Sequence, residues 1–193
     1  MDTLSTPRLV LRRWRAQDRE PFYRLNSDPH VMLFFPARLT RAESNALMDR
    51  METHFDEHGF GLWAAELVET GDLAGFIGLS VPSFTAHFTP SVEIGWRLGE
   101  RFWGKGLATE GAREAMRIGF EQARLREIVS FTVPHNLRSI RVMEKLGMRR
   151  DRASDFDHPL ITEGHPLRRH VLYRRRAADY QDQLRKQADQ NQQ

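Results

Sequence analysis

Ser91 to Thr109 reads SVEIGWRLGERFWGKGLAT, and its two halves follow different periods. Val92, Ile94 and Trp96 alternate with Glu93, Gly95 and Arg97, the period of two that sets the apolar residues on one face of a strand and Glu93 on the other. Gly99, Gly104 and Gly106 follow. After them Leu107, Gly111, Ala112, Ala115, Gly119 and Phe120 recur at helical spacing to about Arg124. The order is strand, glycine loop, helix. Unpaired amides at a helix start carry roughly half a positive charge, so this arrangement suits a phosphate without needing a side chain.

Three motifs compete for those glycines, and spacing separates them. Gly99 to Gly106 reads GxxxxGKG, which fails as a P-loop because Gly106 stands where a Ser or Thr hydroxyl must hold magnesium. A dinucleotide fingerprint starting at Gly104 fails at Thr109, which replaces the last small residue, and at Glu127, which begins a strand rather than ending one. The third reading is RxxGxG, Arg101 to Gly106, directly after a strand carrying a glutamate. It resembles the acyl-CoA pyrophosphate loop of the GNAT acetyltransferase superfamily. A second segment supports it. After a strand-like run, Arg126 to Val133, the stretch Asn136 to Met148 reads NLRSIRVMEKLGM, similar to that superfamily's NxxSxxxxEKxG[FM]. Leu4 to Trp14 (LSTPRLVLRRW), Phe156 to Pro159 (FDHP) and Arg168 to Tyr173 (RRHVLY) resemble the branch containing the ribosomal-protein N-terminal acetyltransferases.

The resemblance covers about residues 4–176. It implies a mixed α/β fold, a single GNAT-type domain whose central, mostly antiparallel twisted sheet has splayed cofactor-binding strands and flanking helices. Residues 177–193 are expected as a polar tail, a frayed helix or disordered. Acetyl-CoA is the implied cosubstrate. By resemblance the loop amides of Arg101, Gly104, Lys105, Gly106, Leu107, Ala108 and Thr109 hold its pyrophosphate. Trp96 and Leu98 give backbone contacts at the strand end, and Asn136 hydrogen-bonds the pantetheine arm. Phe35, in the connection Phe34-Phe35-Pro36, and His158, in the last loop, are the candidate acceptor contacts, although Phe34 and Phe35 also read as core.

Acetyl transfer to an amine needs a neutral nucleophile and a proton for the departing thiolate. Several GNAT enzymes use a glutamate on this strand as base, which assigns the role to Glu93. The alternatives are a partner for Arg97 or a solvated carboxylate. Many relatives place a tyrosine acid where this chain has Met143, so Ser139 is the remaining hydroxyl for the thiolate. That substitution also leaves open a non-catalytic acyl-CoA-binding regulatory module. His87, in the loop from Ser83 to Pro90, reads as an exposed histidine or a base.

Composition sets the outer limits. The 193 residues, 40% hydrophobic and 28% charged, suit one compact domain. Zero cysteines exclude disulfides, thiolate metal sites and a cysteine acyl-enzyme. No histidine pair has a metal-ligand spacing, so no metal is expected. Met1 to Pro7 lacks a secretion signal, and the longest apolar run, Val31 to Phe35, is too short for a bilayer, so a cytoplasmic protein without a membrane partner is expected. Net charge is +3, yet the pI is about 9.7. Arg12, Arg13, Arg15, Arg168, Arg169 and Arg174 to Arg176 therefore raise a nucleic-acid or phosphate surface as a weaker reading beside plain solvated arginines. A small-molecule or peptide amine is the expected acceptor, and a homodimer stays open.

Elsewhere Arg8 to Trp14 reads as a strand, and Asp18 as the cap of a helix through Asn26. Thr40 to Glu43 is a capping box that opens a helix ended by Gly59. Leu62 to Val68 and Leu73 to Val81 flank a hairpin turn, with Gly75 and Gly78 marking a bend or close approach. Met148 to Phe156 and Arg168 to Arg175 read as the last strands.

Overall fold

The computed structural model describes residues 2–190. Its strands are β1 (Thr3–Ser5), β2 (Leu9–Arg12), β3 (Leu62–Leu67), β4 (Leu73–Ser80), β5 (Glu93–Leu98), β6 (Glu127–Thr132), β7 (Arg149–Arg150), β8 (Phe156–Asp157) and β9 (Arg169–Arg176). The helices are α1 (Arg19–Ser27), α2 (Arg41–His58), α3 (Leu107–Glu121), α4 (Leu137–Lys145) and α5 (Ala177–Gln190). One sheet runs β1-β2-β3-β4-β5-β6-β9-β7, with β8 added to β9, and only β5 and β6 pair in parallel.

That parallel pair organises the molecule. It has a single register match, Glu93 with Val129, joined by the Val129 amide donating to the Val92 carbonyl at 2.9 Å. Beyond it β5 and β6 part, the splay expected from the sequence. The connection between them is α3, whose buried Gly111 and Gly119 let the helix press on β4 and β6. A Cβ on Gly111 would come within 2.5 Å of Ile77 Cδ1, and one on Gly119 within 2.8 Å of Ile128 Cδ1. The opposite face of the sheet carries α1, where Phe22 meets Phe76 edge-on at 6.2 Å. On β4, Gly75 takes φ +144°, and a Cβ there would sit 2.0 Å from the Arg97 carbonyl oxygen. The β3–β4 register slips beside it, at Ala65/Glu66. This is the close approach expected of Gly75.

Thr40 and Glu43 form the capping box of α2, and Gly59 ends the helix in the left-handed region at φ 73°. Other expectations need correction. Asp18 precedes α1 but makes no side-chain cap; its carboxylate is buried against Arg12, whose Nη1 and Nη2 donate to it at 2.7 and 2.9 Å. Asp18 Oδ2 also accepts from the Arg15 amide at 2.7 Å, so the carboxylate closes the 3-10 turn before α1 rather than capping α1 itself. Met148 to Phe156 is not one strand. It breaks into β7, a turn and β8, because Asp151 accepts from the Ser154 hydroxyl at 2.7 Å and from Arg174 Nε at 2.9 Å. The polar segment after β9 is helical through Gln190. Tyr180 stacks on Phe120 at 4.9 Å and donates to Glu121 at 2.9 Å, while residues 191–193 of the expected tail lie outside the described residues. Among the described residues no helix is long and apolar enough to cross a membrane.

Candidate active site

The register of β4 on β5 decides which β5 backbone groups are free. Gly99 N donates to Ala74 O at 2.9 Å, so hydrogen-bonded pairs fall at odd positions and the groups of Ile94, Trp96 and Leu98 point toward the departing β6. The gap is therefore edged by unpaired backbone from Trp96 and Leu98, except that the Leu98 carbonyl already accepts from Trp103 Nε1 at 2.7 Å.

At the C-terminal end of β5 the chain makes a 3-10 turn over Glu100–Phe102 and enters α3 through Gly104 at φ 73° and Gly106 at φ 79°. Gly106 is the N-cap and has no side chain to cap with, so the first amides of α3, from Leu107, Ala108 and Thr109, face outward unanswered. An L side chain at either glycine would be strained. The N-terminal hairpin clamps this loop. Thr6 Oγ1 and the Arg8 amide donate to Glu110 Oε1 at 2.7 and 2.9 Å, Arg8 Nε donates to Glu110 Oε2 at 2.6 Å, and Arg8 Nη1 donates to the Lys105 carbonyl at 2.9 Å. Sequence reasoning missed Arg8 and Glu110, because 102 residues separate them. Beside the clamp a depression of about 540 Å³ next to the helix start is lined by Arg8, Arg113 and Lys145 together with Gly106, Thr109, Glu110 and Glu114, a mixed wall in which the cations outnumber the carboxylates by one. Arg101 is exposed, paired with Asp72 at 3.3 Å and lying over Phe102, so it contributes to the loop through its backbone.

Across the gap, Asn136 is the N-cap of α4. Its Oδ1 accepts from the Ser139 amide at 3.3 Å, and its Nδ2 donates to Thr132 Oγ1 and Ser139 Oγ, both at 3.0 Å. The Ser139 hydroxyl is thus held as an acceptor, and its own hydrogen goes to no other described residue. Met143 is buried in the core and offers no acid.

Glu93 stands where the strands part, on the sheet face opposite α3. It has no ion pair or hydrogen bond among the described residues; Arg97, its candidate partner, is turned elsewhere. Desolvation alone pushes the carboxyl up to about 8, while one side of the residue stays open to the cleft. Next to it Gly95 leaves free space, since a Cβ there would meet only Glu93 Oε1 at 3.8 Å. Phe35 lies over Arg97, 4.1 Å from ring centroid to guanidinium carbon. On the other flank Phe84, Phe88, Phe131 and Phe156 form an aromatic cluster holding His158 and His170. Burial, helped by His170, pushes His158 down to about 4, so it is a neutral wall at neutral pH. His87 is exposed, against Phe88. Thus Glu93, Phe35 and His158 border one face, whereas Asn136, Ser139 and the α3 loop border the gap.

The arginine clusters are occupied internally. Arg12 is buried between Asp18 and Glu66, both at 2.7 Å; Arg13 pairs with Glu52 and Asp56, both at 2.8 Å; Arg15 approaches Glu66 at 3.7 Å. Arg168 and Arg169 share Asp157, Arg174 binds Glu127 and Asp151, and Arg176 reaches Glu127 at 3.5 Å. Arg175 is buried against the Gly147 carbonyl and Gln183. Each arginine of these runs thus has a partner within the fold, with Arg15, Arg169 and Arg176 still more than half exposed. Among the described residues no group of His, Cys, Asp or Glu is arranged to hold a metal ion.

Comparison with known proteins gives a concordant result. A family model described as an acetyltransferase (GNAT) domain matches residues 8–149. An uncharacterised N-acetyltransferase of Bacillus subtilis, YnaD, is 30% identical over 149 residues, covering 77% of this chain and 83% of that protein. The FsC-acetyl coenzyme A-N(2)-transacetylase of Aspergillus fumigatus is 32% identical over 153 residues, 76% of this chain and 64% of that one. Among solved structures, an acetyltransferase of the GNAT family from Bacillus anthracis superposes with a TM-score of 0.75 at 26% identity, covering 91% of this chain and 99% of the other.

Proposed function

The chain belongs to the GNAT acetyltransferase family, and from that premise we propose that it moves an acetyl group directly from acetyl-CoA to the amine of a protein N-terminus or of a small molecule. The observation that carries the proposal is Glu93: an unpaired carboxylate, pushed up to about 8, at the mouth of a gap that ends in an anion-ready helix start. The structure fits the cosubstrate. The outward amides at 107–109, with Arg113 and Lys145 in the depression beside them, suit pyrophosphate, and the free edge of β5 at Trp96 suits an amide-bearing arm. Acetyl-CoA supplies the activated thioester.

Glu93 takes the proton from the amine, directly or through water, as the nitrogen forms its bond to the acetyl carbon. A base titrating near 8 is well matched to an amine near neutral pH. The carbon–sulfur bond breaks, and Ser139, whose hydroxyl hydrogen is uncommitted, passes that hydrogen to sulfur. Water returns a proton to the serine as it carries away the one held by Glu93. No cysteine exists to carry an acyl-enzyme, which favours direct transfer. The motifs at Leu4–Trp14 and Phe156–Tyr173 support a protein N-terminus among the acceptors, by their similarity to the ribosomal-protein branch. A reducing, cytoplasmic setting accords with the absent cysteines. Met143 in the core favours a second reading, an acyl-CoA-binding module without turnover.

Thermal unfolding with ligands tests the assignment. Acetyl-CoA at about a hundred times its dissociation constant adds roughly 2.7 kcal/mol. NAD or ATP with magnesium adds far less. Equal shifts from either would remove the cofactor assignment, and binding without labelled turnover would select the regulatory module.

A further inference from the structure

Arg97 is a charged residue on the Glu93 face of β5 that the acetyl-transfer scheme leaves idle. It projects from β5 on the same face as Glu93, two alternations along the strand, with the open space over Gly95 between them. Its guanidinium is wedged between the rings of Phe35, at 4.1 Å, and Phe76, at 5.3 Å. It has no carboxylate partner. Its single hydrogen bond among the described residues runs from Nη1 to Asn26 Oδ1 at 2.5 Å, and the fully buried Asn26 is held in turn by donating to Ser44 Oγ at 2.9 Å. Neutral residues of α1 and α2 therefore position the group without neutralising it. Nε is buried with no partner, and Nη2 bonds no described residue. Nε is sealed from solvent, so the donor left for a ligand is Nη2, which can make one charge-assisted bond to a carboxylate.

The other buried arginines show what is missing. Arg12 has two carboxylates; Arg175, whose Nε is likewise buried without a partner, has three neutral acceptors, Gly147 O, Asp179 O and Gln183 Oε1, against the single acceptor of Arg97. An unpaired cation is costly to bury, and arginine does not escape by losing its proton in the physiological range. Burial does pull Arg97 down to about 10, which leaves it charged at neutral pH.

We propose that Arg97 is the acceptor-recognition residue of this site: it takes a carboxylate of the acceptor through Nη2 while the acceptor's amine reaches Glu93. The proposal rests on the acetyltransferase reading of Glu93. Four strand residues span roughly 13 Å, and a hydrogen bond of roughly 3 Å at each end leaves an amine and a carboxylate roughly 7 Å apart. That selects an ω-amino acid or a short peptide with a free carboxylate, and disfavours polyamines, which would bring a second cation to Arg97. Phe35, partly exposed above the guanidinium, covers the carboxylate end.

The test uses 6-aminohexanoate and its neutral counterpart 6-aminohexanamide, which differ only at the end away from the amine. Wild-type protein acetylates the carboxylate with kcat/KM at least tenfold higher, the difference lying in KM. In Arg97→Gln the ratio of the two probes falls toward one, and in Arg97→Lys part of it returns. The ratio is internal to each variant, so loss of folded protein cancels. The same probes are titrated calorimetrically into the free protein. Affinity for the carboxylate at least tenfold above the amide, with that margin lost in Arg97→Gln, supports the proposal even if no acetyl transfer is seen. Equal affinities overturn it, even with acetyl-CoA turnover intact on other amines.

Discussion

Glu93→Gln should make the protein more stable and less active at once. The carboxyl titrates near 8 when folded, against an ordinary value of 4.5, because burial opposes its charge. Between those values the folded chain holds a proton that the unfolded chain releases, so stability falls as pH rises, by at most about 1.4 kcal/mol per pH unit. The full loss above pH 8 is on the order of 4–5 kcal/mol, an upper bound because water reaches one side of the residue. Gln has nearly the same shape and no charge to desolvate. The variant should therefore gain less than about 1 kcal/mol at pH 5 and on the order of 2–3 kcal/mol at pH 7, with the largest gain near pH 9. For a chain of this size the gain at pH 7 is a rise in Tm of roughly 4–12 °C. Thermal unfolding of both proteins in matched buffers at pH 5, 7 and 9 reads it directly. A variant less stable than wild type at pH 7, or a gain that does not grow with pH, would show that Glu93 is held by a partner rather than left unpaired.

Three other substitutions probe the supports of the site. Asp18→Ala strands Arg12 beside Glu66 and should cost about 3–5 kcal/mol, read as a lower urea midpoint; a loss below 1 kcal/mol would contradict a buried pair. Ser139→Ala should lower turnover while acetyl-CoA affinity stays within about twofold, since its hydroxyl acts only as the thiolate departs; unchanged turnover would pass that proton to water. Arg8→Ala frees the glycine loop and should weaken acetyl-CoA binding about tenfold, while stability changes by less than about 1 kcal/mol because the pair with Glu110 is half exposed. Calorimetry that finds the affinity unaltered would mean the loop holds its shape without the clamp.

What the sequence discloses here is local chemistry. The β5 alternation, the glycines at 99, 104 and 106 and the Thr40–Glu43 box each encode their structure within a few residues, and each is found as expected. The splay of β5 from β6 followed from the family resemblance rather than from any spacing. β1 escaped notice because three residues carry no period. Asp18 had the composition of a cap for α1, but its carboxylate closes the 3-10 turn one step earlier, on the Arg15 amide, and pairs with Arg12. The arginine runs show charge in the sequence, whereas their counter-ions, such as Glu66, Asp157 and Glu127, are visible only in the fold. Glu93 and Arg97 invert the case. Their spacing allows a pair, and the fold denies it by tying Arg97 to Asn26, a residue 71 positions away.

The central claim is that Glu93 removes the acceptor's proton during transfer from acetyl-CoA, and isotope-labelled acetyl-CoA followed by mass spectrometry across pH tests it most directly. With an amine acceptor, wild-type turnover should rise with pH and level off near 8 as the Glu93 carboxyl ionises. Glu93→Gln should transfer label at least about a hundredfold more slowly at pH 7, lose the break near 8 and recover part of its rate only as the amine itself deprotonates. A Glu93→Gln protein that binds acetyl-CoA normally and transfers label at the wild-type rate at pH 7 would contradict the account.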